Sequence, residues 1–172
     1  MRPEEILSVD NLSLSFPTID GYVPVLHGVS FAVKKGETLA IVGESGSGKT
    51  VTMRRVMQLL AQVRTDSGTI SLRRKDGSVT DITRLGVDEA GTIRGNDMSM
   101  IFQEPMTSLN PLFTIGNQIA EALITHGRAN RGDVTAKVLE LLELVRIPDA
   151  RRRIDEYPHQ MSGGMRQRVM TA

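Results

Sequence analysis

The stretch GESGSGKT, Gly43 to Thr50, constrains this chain more tightly than any other feature. It fits the pattern G-x-x-x-x-G-K-[ST], and its flanks are of the required kind. Before it lies TLAIVGE, a short apolar run typical of a strand buried on both faces. After it lies TVTMRRVMQLLAQV, where Met53, Val56, Met57 and Leu60 recur at helical spacing. Gly43, Gly46 and Gly48 allow left-handed backbone angles and close approach to a ligand. With Glu44, Ser45 and Ser47 they expose main-chain amides as an anion-binding nest at a helix N-terminus, where the dipole adds partial positive charge. Lys49 is expected to reach the β- and γ-phosphates, and the Thr50 hydroxyl to bind Mg²⁺. The motif points to a nucleoside triphosphate, without separating kinases, GTPases and ATPases.

The remaining pattern surrounds this loop with two kinds of structure. Leu12, Leu14 and Phe16 alternate with polar residues, as do Val29, Phe31 and Val33, and TIDGYVP between them has turn chemistry, so a hairpin is predicted. GTISLRR and SVTDITRL read as short antiparallel strands, and DMSMIFQEP as another strand stopped by Pro105. From Thr114 the period becomes helical: IGNQIAEALITHG and DVTAKVLELLELVRI place apolar residues three and four apart, with Gly127 and Gly132 bracketing the turn. The predicted division is a nucleotide-binding core with an antiparallel β subdomain over 1–104 and a helical part over 105–172.

At 172 residues, with 40% hydrophobic and 24% charged, the chain can bury a core. A net charge of +1 gives no broad basic field, so nucleic acid is not an expected partner. Arg151, Arg152 and Arg153 read as a solvated helix end. The absence of cysteine excludes disulfides and thiolate metal sites. No run approaches the ~20 apolar residues of a membrane span.

The chain closes on YPHQMSGGMRQRVMTA. Ser162 is a good N-cap, and Gly163 and Gly164 open the next helix with outward amides and room for a phosphate. Together with GESGSGKT and IFQEPMTSLNP, MSGGMRQR resembles the ordered motifs of ABC-type ATPases, and in particular of the ATP-binding subunits of oligopeptide and dipeptide importers. The resemblance covers nearly the whole chain. It implies an α/β fold: a P-loop NTPase (ABC ATPase) core with an antiparallel β subdomain and a helical subdomain. It also implies ATP and Mg²⁺ as cofactors and a head-to-tail pair, homo- or heterodimeric, in which Ser162, Gly163 and Gly164 of one subunit close over ATP held by the other. Gln103 becomes the glutamine-loop residue, touching Mg²⁺ or the attacking water; Lys49, Gln103 and Ser162 are then the catalytic set. Phe16 is the expected adenine-stacking aromatic, with Tyr22 as competitor. Met106 and Leu109 are candidates for docking on the transmembrane subunits, minor core positions being the alternative. Met165, where the wider superfamily commonly has glutamine, suits the peptide-importer branch.

The same resemblance implies permease subunits as partners, a solute-binding protein acting indirectly, and a place at the cytoplasmic face of the membrane. Family members continue into an apolar Walker B strand ending in Asp-Glu and a later histidine; His27, His126 and His159 all precede the signature helix and do not fill that role. On this reading the chain is an N-terminal part of a longer subunit, truncated before the Walker B strand, with weak ATP binding, negligible hydrolysis and marginal folding alone. A nonhydrolysing nucleotide-binding module or a degraded gene fragment is the alternative. The compact insert between the two motifs disfavours the DNA-repair and chromosome ATPases.

Overall fold

The computed structural model describes residues 1–60, 62–102 and 108–172. The chain forms two compact units, Met1–Ser99 and Met100–Ala172.

The first unit is built on a hairpin of β1 (Glu5–Thr18) and β2 (Gly21–Lys34). β3 (Arg64–Arg73) and β4 (Val79–Asp81) extend it into a four-stranded antiparallel sheet of order β2-β1-β3-β4. The alternation foreseen at Leu12 and Leu14 sends both side chains into the core, with Val9, Leu26, Ile70 and Leu72. α1 (Lys49–Val56) adds Val56, and α2 (Val87–Ile93) adds Ile93. SVTDITRL is a strand only through Asp81. The Asp81 side chain then accepts from the Thr83 amide and starts a 3-10 turn, Ile82–Arg84, that buries Ile82.

Two expected strands do not form among the described residues. TLAIVGE pairs with no strand among the described residues, and Leu39, Ile41 and Val42 are 39, 42 and 89% exposed. In DMSMIFQEP, Met98 makes one isolated bridge to Arg94, while Ile101 and Phe102 lie outside any strand and are exposed. Apolar composition favours burial, but a strand also needs a neighbouring ladder to satisfy its amides and carbonyls. α1 is likewise shorter than its apolar stripe suggests. Gln58 takes φ 54°, and the Leu59 amide turns back to the Arg54 carbonyl at 2.8 Å, closing the helix. Met57 is nonetheless buried, and Met53 and Leu60 still pack on the core.

The second unit contains α3 (Ile115–Thr125), α4 (Val134–Leu144), α5 (Ala150–Arg153) and α6 (Gly163–Val169). Thr114 caps α3 through the Asn117 amide. Ile115, Ile119, Val138, Leu142 and Ile147 form its core, which Met161, Met165 and Val169 complete from either side of Ser162. Among the described residues, no helix is long and apolar enough to cross a membrane.

Candidate functional site

The glycine loop leads directly into α1. The Ser47 amide donates to the Glu44 carbonyl at 3.3 Å, forming the turn, and Gly46 and Gly48 take φ 82° and 89°. Gly43 does not adopt the left-handed angle expected for it. The turn reverses between 44 and 48, so only its later glycines need that conformation; at Gly43 the constraint is space, since a Cβ would lie 2.8 Å from Ser47 Oγ. Gly48 is the N-cap of α1 and offers no side-chain cap to the first amides. Its carbonyl accepts from both Thr52 N and Thr52 Oγ1, at 2.8 and 2.9 Å, which fixes the first turn.

Lys49 folds back over this loop. Its Nζ donates to the Gly43 carbonyl at 2.7 Å, the Glu44 carbonyl at 2.7 Å and Ser47 Oγ at 3.2 Å. An ammonium has three donors, and the loop takes all three. Positive charge is thus centred on a glycine-rich turn, the kind of backbone whose amides can meet an anion. Glu44, Ser45 and Thr50 are exposed. The Thr50 hydroxyl is a hard oxygen donor of the kind Mg²⁺ prefers. Among the described residues no group of three His, Cys, Asp or Glu side chains could hold a metal ion.

Packing ties the loop to the hairpin. A Cβ on Gly48 would meet Leu26 Cδ2 at 2.5 Å. Leu26 stands opposite Leu14 on β1, and Phe16 stands opposite Val23. Successive strand residues face opposite sides, so Phe16 shares the face of Leu14, the face that meets the loop. Tyr22 stands opposite Pro17, on the other face with Ser15. There the Arg64 guanidinium lies 4.0 Å from the Tyr22 ring centroid. By this alternation Phe16 and Tyr22 stand on opposite faces of the hairpin, beyond a register shift between Leu14 and Ser15.

Sequence reading missed Arg55. It is 8% exposed and donates to Gln58 Oε1 at 2.6 Å, Thr65 Oγ1 at 3.0 Å and the Thr83 carbonyl at 2.7 Å. The loop helix is thereby pinned to β3 and to the 3-10 turn. Burial pulls its pKa below the ordinary guanidinium value, with Asp81 opposing. Helical spacing places Arg55 on α1, but nothing local in the sequence announces partners so distant along the chain.

In the second unit Ser162 caps α6 as expected, its Oγ accepting from the Met165 amide at 3.3 Å. Met161 and Met165 anchor the turn on both sides. Gly163 and Gly164 are exposed, and a Cβ on either would meet nothing within 4 Å. Neither has a positive φ. Their own fold therefore gives no reason for glycine, which is among the poorest helix formers. Leu109 packs against this unit's core, whereas Leu112 and Phe113 are 79 and 52% exposed. Gln103 and Met106 lie outside the described residues.

The sequence profile described as ABC transporter matches residues 26–172. The glutathione import ATP-binding protein GsiA of Pectobacterium atrosepticum is 49% identical over 175 residues, covering 100% of this chain and 28% of that protein. The dipeptide transport ATP-binding protein DppD of Bacillus subtilis is 48% identical over 171 residues, covering 98% of this chain and 50% of that protein. The chain thus spans about half the length of such relatives, or less. Among solved structures, the dimeric bacterial ABC transporter cassette MJ0796 superposes with TM-score 0.75 at 25% identity, covering 95% of this chain and 66% of that one. The same cassette in a post-hydrolysis state, bound to ADP and Pi, gives 0.72.

Proposed function

The chain belongs to the ABC transporter family and has the fold of its ATPase cassettes, and from that premise we propose that it forms the nucleotide-binding part of an importer subunit that couples ATP binding and hydrolysis to solute uptake. The relatives named for dipeptide and glutathione import favour peptides and similar small solutes.

The roles follow from the two sites. Gly43 to Thr50 hold the triphosphate through main-chain amides, with Glu44, Ser45 and Ser47 among the amide donors and Lys49 turning from the loop carbonyls to the phosphates. Thr50 supplies one oxygen to Mg²⁺, whose contribution is to neutralise charge on the phosphoryl oxygens. Phe16 stacks on the base from the loop side of the hairpin. Gln103 contacts the ion or the attacking water. Ser162, Gly163 and Gly164 face the nucleotide of a second subunit in a head-to-tail pair, homo- or heterodimeric. Permease subunits hold the pair at the cytoplasmic face of the membrane, and a solute-binding protein delivers cargo to them. Catalysis is positioning plus electrostatic stabilisation, with Lys49, Gln103 and the partner's copy of the serine turn as its parts.

The contrast between the two glycine sets carries this reading. In the phosphate loop, backbone angle and Leu26 demand glycine at 48; at 163 and 164 nothing among the described residues does. Space kept open at a helix start with its amides outward suits an anion from another molecule. Gly164→Ala, made in the full encoded protein with its permease, tests this. The variant should be as stable as the parent or more so, by about 0.5 kcal/mol, while ATP turnover falls at least about tenfold. Unchanged turnover would remove the proposed role of the serine turn.

A further inference from the structure

The β1–β2 hairpin projects past the rest of its sheet where Phe16 sits. β3 follows β1 as far as the pair Ser15↔Arg64; beyond it, among the described residues, Phe16, Pro17 and Thr18 pair only with β2. A two-stranded ribbon is marginally stable by itself, so an aromatic placed there needs something to fix it.

A polar chain crosses three strands at this point, on the face away from the phosphate loop. Tyr22 of β2 carries the Arg64 guanidinium 4.0 Å from its ring centroid. Arg64 Nε, on β3, donates to Asp66 Oδ1 at 2.7 Å. Asp66 Oδ2 accepts a short hydrogen bond from Ser15 Oγ of β1, and Ser15 is 1% exposed. Ser15 precedes Phe16, and Tyr22 precedes Val23, the residue opposite Phe16. Both backbone segments that carry the Phe16–Val23 pair are therefore tied to β3 through one carboxylate.

The geometry points to Asp66 as a positioning residue for the nucleotide base: with Ser15, Arg64 and Tyr22 it sets the hairpin end so that Phe16 is presented at a fixed height above the phosphate loop. This rests on the reading of Phe16 as the base-stacking aromatic. Asp66 touches no part of the nucleotide in this scheme. Its effect belongs to the base and not to the phosphates, because Gly48 meets β2 at Leu26, whose partner Leu14 is also paired with Thr65 of β3.

The test uses the full encoded protein and two probes, Mg·ATP and inorganic tripolyphosphate, which offers the phosphates without a base. Asp66→Ala should weaken ATP binding about fivefold, the scale of a partly lost base stack, and move tripolyphosphate binding less than twofold. Phe16→Ala should show the same selectivity, and the double variant should bind ATP no more weakly than Phe16→Ala. Arg64→Gln, which keeps the Ser15–Asp66 bond, should give a smaller selective loss. Retained tripolyphosphate binding shows in each variant that the loop is folded. Equal loss on both probes in Asp66→Ala, no loss, or additive losses in the double variant would overturn the positioning role. If Phe16→Ala itself shows no selectivity, the base site has been misassigned; if the parent binds neither probe, the phosphate-loop reading fails as well.

Discussion

Lys49 illustrates how far a single side chain can be understood from its surroundings. Its three donors are satisfied by two loop carbonyls and one hydroxyl. The loop is thus already shaped around positive charge, and a phosphate group can replace carbonyl partners with stronger, charge-assisted ones. The neighbouring glycines separate two causes that sequence alone merges. Gly46 has a left-handed angle and open space, while Gly48 has the same kind of angle and Leu26 Cδ2 2.5 Å from where a Cβ would stand. Gly46→Ala should therefore cost about 1 kcal/mol from backbone strain. Gly48→Ala should cost about 3 kcal/mol, because buried Leu26 must also move. Shifts in denaturant midpoint would measure both. Equal losses would mean that the loop does not press on the hairpin.

At the scale of elements, the β3–β4 hairpin is held by an acid set well inside. The Asp97 side chain is 3% exposed, and it accepts from Arg74 Nε at 3.0 Å and from the Lys75 amide at 3.1 Å. Asp97→Ala should cost about 2 kcal/mol by leaving those donors unpaired; a loss under about 0.5 kcal/mol in chemical denaturation would show the contact to be incidental. Local chemistry made some elements readable in advance. TIDGYVP signals the first hairpin, three-four spacing signals α3 and α4, and Ser162 signals the start of α6. TLAIVGE and DMSMIFQEP were misread because an apolar run specifies burial and not a ladder partner. α1 ends early because Gln58 adopts a left-handed cap that its residue type does not announce. α2 was overlooked although Gly86 N donates to Glu89 Oε2 at 3.1 Å, the backward half of a capping box. That Phe16 and Tyr22 lie on opposite faces needed strand register, which alternation alone does not supply. Arg55 needed its partners on β3 and on the turn after β4, far along the chain.

For the whole molecule, the two units divide the proposed work. Met1–Ser99 holds the glycine loop and Phe16, the aromatic proposed to meet the base; Met100–Ala172 holds the serine turn. Each site is legible by itself from spacing and residue type. The link between them was legible only by family resemblance, since no residue pattern states that one chain's helix start serves another chain's ligand. Everything proposed begins with triphosphate gripped at Gly43 to Thr50. The most direct measurement is calorimetric titration of the full encoded protein with Mg·ATP, beside its Lys49→Ala variant. Saturable binding that weakens about thirtyfold on losing Lys49, as removal of a charged hydrogen-bonding partner should cause, is the predicted result. Equal affinity in the two proteins, or no saturable binding to the parent, would contradict the account.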